Sequence, residues 1–270
     1  MRDSESRVAV ISGAGSGLGA AMAARFAVAG WRVVVTDQHL ERAEQVAAAL
    51  PGAGHAARML DVTVADQWRD LVKYVEGEFG RVDLLINNAG VATGGMLGDT
   101  PLEDWRWVLE INLMGVVTGC HVFVETFRAQ RFGHIVNVAS WAGLAGAPGI
   151  NSYGTAKAAV IALSEMLRAE LKPFDVEVSV LCPAFVKTAL TQTMRAPDAG
   201  YAQRVQRWME RSGITAEDVA ETVYQATRKP QFLLLTHPDT RWHYRLKRYF
   251  PALYFRILMR SMRKMMRKQP

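Results

Sequence analysis

Val8-Ala-Val-Ile-Ser12-Gly-Ala-Gly-Ser-Gly-Leu-Gly-Ala20 decides how the rest of this chain is read. Val8–Ser12 is an apolar, largely β-branched run of the kind buried in a parallel sheet, and Met22–Ala29 has the composition of a helix. Between them lie Gly13, Gly15, Gly17 and Gly19. A strand, a glycine loop and a helix in that order let backbone N–H groups approach a pyrophosphate at a helix N-terminus, where the helix dipole also favours an anion. A glycine-rich loop is otherwise only a flexible turn, so its position after a buried strand carries the reading.

Outward from this loop, apolar β-branched runs alternate with helical periodicities. Strands are expected near Val8–Ser12, Arg32–Asp37, Ala56–Leu60, Val82–Ile86, His134–Ala139, Glu177–Leu181 and Gln231–Leu235. This alternation predicts one doubly wound Rossmann-type α/β domain over residues 1–240, with a seven-stranded, mostly parallel sheet and helices on both faces. Residues 241–270 form a separate basic, amphipathic extension. Asp37 closes the second strand about twenty residues beyond the loop, where a carboxylate binds ribose hydroxyls and repels a 2′-phosphate. NAD is therefore favoured over NADP, with Arg42 the nearest opposing charge; the alternative is that Asp37 merely caps the helix opening near His39.

A second informative stretch is Ser140–Lys157, SWAGLAGAPGINSYGTAK. It leaves the fifth strand at Ser140, crosses a loop of small residues and enters a helix that Asn151 or Ser152 would cap. On that helix Tyr153 and Lys157 are four residues apart and share a face. Lowering a phenol from ~10 to ~7 takes about 4 kcal/mol. One cation ~4 Å away at an effective dielectric of ~20 supplies about that much. Tyr153 can then act as a proton acceptor tuned by Lys157, with Ser140 holding the substrate oxygen. Without that context such a pair is an ordinary surface contact.

Of 270 residues half are apolar, enough for a sizeable core. The N-terminal Met-Arg-Asp-Ser-Glu-Ser-Arg lacks the apolar stretch of a secretory signal, and no window approaches ~18 uncharged apolar residues. Cys120 and Cys182 form no metal or redox motif and read as buried free thiols of a reducing compartment, so a cytoplasmic location is expected. The net charge of +6 is local: from Thr240 onward there are ten Lys or Arg and no acid, which leaves 22 bases against 26 acids in the body.

With these motifs in order, the chain resembles the short-chain dehydrogenase/reductase family over roughly residues 7–236. The loop Gly13-Ala-Gly-Ser-Gly17-Leu-Gly19 is similar to the family's Gly-x-x-x-Gly-x-Gly, and Asn87-Asn-Ala-Gly90 to its Asn-Asn-Ala-Gly element. Asn112, Ser140, Tyr153 and Lys157 fall where its catalytic tetrad falls. The resemblance implies an enzyme acting on CH–OH groups with a nicotinamide cofactor held by Gly13, Ser16, Gly17, Leu18 and Gly19. It implies further that Asp61 and Val62 lie by the adenine, and that Asn88, Ala89 and Gly90 line the cofactor path. Pro183, Val186 and Thr188 would sit at the carboxamide end, and Tyr153 and Lys157 would also touch the cofactor. Asn112 would hold a water chain leading to Lys157, or else be a packing asparagine in a long helix. Helices opening near Leu102 and Asn151 imply a homodimer or homotetramer. One departure is Ala184, where the family usually has glycine after the proline, which would strain a turn that needed positive φ.

Thr93, Trp141, Ala142, Leu144, Phe185 and Met194 stand beside motif ends and are mostly apolar. They suggest a pocket for a lipophilic secondary alcohol or its ketone. Residues 188–213 are either a mobile lid over it or an ordinary pair of surface helices. In the extension, Trp242, Leu246, Tyr249, Phe250, Leu253, Tyr254, Ile257, Leu258, Met262, Met265 and Met266 recur at helical intervals, with a helix expected from Ala252 to Lys268. Its basic residues suit an anionic membrane surface, making the protein a peripheral membrane binder. Packing on the enzyme body or on a second subunit competes with that, and no motif supports nucleic-acid binding. The different functional class that remains is a catalytically silent NAD(P)-binding regulator, against which the complete tetrad argues.

Overall fold

A computed structural model describes residues 6–197 and 199–266. Seven parallel strands form one sheet in the order β3-β2-β1-β4-β5-β6-β7. They are β1 (Val8–Ile11), β2 (Arg32–Asp37), β3 (Ala56–Met59), β4 (Leu84–Asn87), β5 (Gly133–Val138), β6 (Val176–Leu181) and β7 (Leu233–Leu234). Each expected strand is present. β1, β4, β5 and β6 are almost wholly buried, which is why their sequences run apolar instead of alternating.

Helices cover both faces. On one side α1 (Gly17–Val28) and α2 (Leu40–Ala49) pack with α9 (Ala216–Arg228) around Phe26, Trp31 and Val223. On the other, α3 (Ala65–Phe79), α5 (Gly115–Gln130) and α7 (Asn151–Leu171) enclose Trp68, Phe123, Phe127 and Leu171. Short sequence signals set several ends: α3 stops at Gly80 in the left-handed region, and α9 starts in a capping box between Thr215 and Asp218. α1 begins at Gly17, five residues before the expected start, so the glycine loop itself supplies the helix N-terminus.

α4 (Leu102–Leu109) runs through a π-helical turn at Glu110–Met114 into α5. By length, and by a mean hydropathy of 1.5 over its most apolar 18 residues, the continuous helix Leu102–Gln130 would suffice to cross a bilayer. Here it connects β4 to β5 and buries Val108, Val116, Cys120, Phe123 and Phe127 in the fold. Neither Asn151 nor Ser152 caps α7. Asn151 is already its first helical residue, and the buried Ser152 hydroxyl pairs with that of Thr93 at 2.6 Å.

The remaining helices are α6 (Trp141–Ala145), α8 (Ala199–Glu210), α10 (Pro238–Tyr249) and α11 (Pro251–Met266). α11 starts one residue before the expected Ala252. The side chains of Met262, Lys264, Met265 and Met266, and residues 267–270, lie outside the described part. Packing splits the expected apolar stripe of the extension in two. Leu246 and Tyr254 are buried against the body, whereas Trp242, Tyr249, Phe250 and Leu253 remain exposed.

Candidate active site

Strand order reverses between β1 and β4, and at the C-terminal ends of the strands this opens a cleft of about 760 Å³. Gly13, Ser16, Gly17 and Leu18 line it from the first loop. Gly19 does not reach the surface of the cleft; it is buried beneath, where a Cβ would stand 2.4 Å from the Gly13 carbonyl oxygen and 2.6 Å from Asn88 Nδ2. Gly13 has φ +62° and no room for a side chain, since a Cβ would meet Ala89 Cα at 2.7 Å. Asn88 ties loop to strand: its Nδ2 donates to the carbonyls of Ser12 and Gly13, at 2.9 Å each.

Asp37 also lines the cleft. Its Oδ2 accepts from the Gly15 N–H (3.1 Å) and its Oδ1 from the His39 N–H (3.0 Å). Asp37 does not cap α2, whose N-cap is His39; the backbone N–H groups of Gly15 and His39 fix its carboxylate so that it faces the cleft. Gln38 and Arg42 stand beside it. Across the floor, Asp61 accepts from the Thr63 N–H and hydroxyl, Val62 packs against Gly115, and Ala89 and Gly90 continue the lining. Sequence reasoning missed Trp107 of α4 and Glu110 and Ile111 of the π-helical turn, which line the cleft; their i, i+3, i+4 spacing was the available signal. The backbone cradle, the helix N-terminus and the anchored carboxylate fit a dinucleotide.

At the other end Ser140, Tyr153 and Lys157 converge on the same cleft, with Val138 and Ala139 between them. Ser140 is the N-cap of α6: its Oγ accepts from the Ala142 N–H at 3.1 Å. Its own hydroxyl proton, only 3.5 Å from the Pro183 carbonyl in heavy-atom distance, remains available to a better acceptor. Lys157, buried, donates from Nζ to the Val138 carbonyl at 2.8 Å and lies 5.9 Å from the centroid of the Tyr153 ring. Asn112 does not line the cleft. It is fully buried in the π-helical turn, and its side-chain amide both accepts from the Val91 N–H and donates to the Val91 carbonyl, each at 2.8 Å. It stands close behind Gly90, where a Cβ would lie 3.1 Å from Asn112 Oδ1 and 3.5 Å from Lys157 Nζ.

The electrostatics differ from the simple ion-pair expectation. Burial raises the Tyr153 phenol above its ordinary value, and the hydrogen bond with Ser140 pulls it back. Burial also lowers the Lys157 ammonium to about 8, partly opposed by nearby Cys182. The Coulomb argument assumed a direct pair and left out desolvation, which here acts on both groups. Cys120 and Cys182 are buried free thiols, each pushed up to about 12 by burial.

Of the expected substrate-pocket residues, none lines this cleft. Thr93 is consumed by Ser152, Leu144 packs on the core, and Met194, itself within residues 188–213, sits by Gly94. Ala142 lends its N–H to Ser140. Trp141 and Phe185 instead line a separate cavity against the extension. Pro183, Val186 and Thr188 do face the cleft, together with Ala184, whose φ is not positive, so alanine brings no backbone strain there. Residues 188–213 contain a 3₁₀ turn at Ala189–Thr191 and the single helix α8. The segment is docked: Arg195 pairs with Thr93, and the Tyr201 hydroxyl donates to the Gly149 carbonyl.

This arrangement, a dinucleotide cleft ending in a serine, a tyrosine and a lysine, is that of an oxidoreductase of CH–OH groups. Residues 7–199 match the family model described as short chain dehydrogenase, and the chain belongs to that family. A crystal structure of a short-chain dehydrogenase/reductase from Burkholderia phymatum in complex with NAD is 34% identical, with a TM-score of 0.87 over 94% of this chain and 96% of that one. The "CLA biosynthesis dehydrogenase/reductase" of Lactiplantibacillus plantarum is 31% identical over 88% of this chain and 91% of its own length. An "NADP-dependent (R)-specific alcohol dehydrogenase" of Lentilactobacillus kefiri is 30% identical over 84% and 91%.

Proposed function

We propose that this protein is an NAD-dependent dehydrogenase/reductase interconverting a lipophilic secondary alcohol and its ketone, with Tyr153 as general base and acid. The observation that carries this reading is the convergence of Ser140, Tyr153 and Lys157 at the end of a cleft whose far end holds Asp37. NAD, when bound, supplies the hydride acceptor and a positive ring. Ser140 donates to the reacting oxygen and fixes its position, while Tyr153 takes the hydroxyl proton in oxidation and returns it in reduction. Lys157, held by the Val138 carbonyl, contributes positive charge behind the phenol.

Preference for NAD over NADP is supported by Asp37, which two backbone N–H groups hold at the cleft wall, leaving it unable to turn away from a 2′-phosphate. A screen of secondary alcohols and ketones with both cofactors, using Tyr153→Phe as control, tests the whole reading. Loss of about 10²–10⁴ in kcat is expected for the variant. Turnover confined to small charged hydroxy acids would overturn the substrate class, and cofactor binding with no turnover on any substrate would favour the silent regulator.

Two partner readings accompany this one. Exposed Leu102, Met114 and Met166 on the α4–α5 and α7 helices support a homodimer or homotetramer, to be read by light scattering. In the extension, the exposed Trp242, Tyr249, Phe250, Leu253 and Phe255, with basic residues and no acid from Thr240 onward, support attachment of a cytoplasmic enzyme to an anionic bilayer surface. Co-sedimentation with anionic vesicles that persists after all five are changed to serine would refute it.

A further inference from the structure

A second chamber, of about 430 Å³, lies between the turn after β5, the lid helix α8 and the extension. Its volume is within the roughly 300–1,000 Å³ typical of small-molecule sites. Ala184 belongs to the walls of both this chamber and the dinucleotide cleft, and Trp141, which lines it, directly follows Ser140. The chamber therefore adjoins the end of the cleft where the reacting oxygen is held.

Aromatic and aliphatic side chains supply most of its wall surface, and Arg211, His237, Asp239 and His243 are among the polar remainder. Phe185 and Trp208 lie with ring centroids 5.5 Å apart, one from the turn after β6 and one from α8. Facing them, α11 contributes Tyr254, Ile257 and Leu258. The extension is latched in this position. The Tyr254 hydroxyl donates to the Ala145 carbonyl at 2.9 Å, and Lys247 Nζ donates to the Leu144 carbonyl. Both acceptors are at the C-terminal end of α6, where carbonyls lack helical partners. A third tie comes from His237 at the start of α10: its Nδ1 accepts from the Ala184 N–H (3.4 Å) and its Nε2 meets the Phe185 carbonyl (3.1 Å). The residues that separate chamber from cleft are thus positioned from the start of α10, the helix that runs into the extension. Had the extension been only a membrane anchor, nothing would require its inner face to close a cavity beside Ser140.

We propose that this chamber receives the apolar arm of the substrate, and that Tyr254, Ile257 and Leu258 of α11 determine which arms fit. The site takes a long alkyl chain or a fused ring system attached to the carbinol carbon. This rests on the alcohol–ketone reading above. It adds that chain-length selection is made by the C-terminal extension, a part of the chain beyond the matched family region.

The test compares oxidation of butan-2-ol and dodecan-2-ol by the full chain. The ratio of their kcat/KM values, long over short, is expected to rise by roughly three- to fourfold per methylene that enters the chamber. Ile257→Trp and Leu258→Trp, which fill it, should lower that ratio at least tenfold, and Ile257→Ala should move the optimum to bulkier arms. Phe255→Ala, on the outward face of α11, should leave the ratio where it was. A wild-type ratio near one, or Trp variants that keep the wild-type ratio, would overturn the proposal. Binding of dodecan-2-one in the presence of NADH, by calorimetry, separates the two levels of inference. No turnover with either alcohol defeats the reaction class, and the chamber is then judged by whether Ile257→Trp weakens ketone binding at least tenfold; unchanged binding overturns it.

Discussion

Two glycine-to-alanine changes, both inside helices, should have opposite signs. At Gly19 in α1, a Cβ would stand 2.4 Å from the Gly13 carbonyl oxygen, 2.6 Å from Asn88 Nδ2 and 2.7 Å from Ala14 Cα, against an ordinary contact of at least 3.4 Å. Three groups would have to retreat by 0.7–1.0 Å. Two are backbone, and the third is the amide that ties Ser12 and Gly13 to β4. Overpacking of this kind costs about 1–3 kcal/mol, and a weakened hydrogen bond roughly 1 kcal/mol more. Helix propensity returns at most ~1 kcal/mol. The net loss of about 1–3 kcal/mol corresponds to a melting temperature lower by roughly 2–10 °C for a chain of this size. Gly77 in α3 has nothing within 4 Å of its hypothetical Cβ. Gly77→Ala should therefore gain as much as ~1 kcal/mol, raising the melting temperature by about 2–4 °C. Thermal unfolding followed by circular dichroism reads both, and dinucleotide titration adds a second measure. Moving the loop by nearly 1 Å should weaken cofactor binding at least tenfold for Gly19→Ala and leave it untouched for Gly77→Ala. A Gly19→Ala protein as stable as wild type, with unchanged dinucleotide affinity, would refute the steric account of the loop.

Asn112→Ala leaves the half-buried Val91 N–H and carbonyl without their 2.8 Å partners, so urea unfolding should show a loss of about 1–3 kcal/mol; a change within 0.5 kcal/mol would mean that the asparagine does not hold the segment behind Gly90. His134, buried and paired with Ser179 at 2.8 Å, has its pKa lowered from 6.5 to about 4 by burial. The folded state then binds fewer protons than the unfolded chain between those values, so stability falls by roughly 3 kcal/mol as pH drops from 6.5 to 4. His134→Gln should flatten that part of the pH–stability curve, and a curve parallel to wild type would contradict it.

What the sequence disclosed and what it hid divide along a physical line. Strands buried on both faces must be continuous apolar runs, so β1, β4, β5 and β6 could be placed from their composition alone. The glycine loop was legible because close backbone approach excludes a Cβ, a constraint written residue by residue. Contacts between distant segments carry no such local mark. Thr93, beside a motif end, looked like pocket lining; its hydroxyl is engaged by Ser152, fifty-nine residues away. Met194 could be placed only once its segment was seen to dock through Arg195 and Tyr201.

The Tyr153–Lys157 pair makes the same point about energy. Spacing of four residues fixes that both side chains share a face, and from this a Coulomb term can be written. Burial of the two groups depends on β5, on α6 and on the turn after β6, none of which the spacing encodes. Desolvation raises the phenol and lowers the ammonium, both opposing ionisation, so proximity alone does not produce a basic tyrosine. The group that opposes the rise of the phenol comes from elsewhere in the fold, the Ser140 hydroxyl at the end of β5; a bound nicotinamide would add its positive ring. In this protein α7 carries the tyrosine and the lysine, and the end of β5 supplies the groups they bond to, the Ser140 hydroxyl and the Val138 carbonyl.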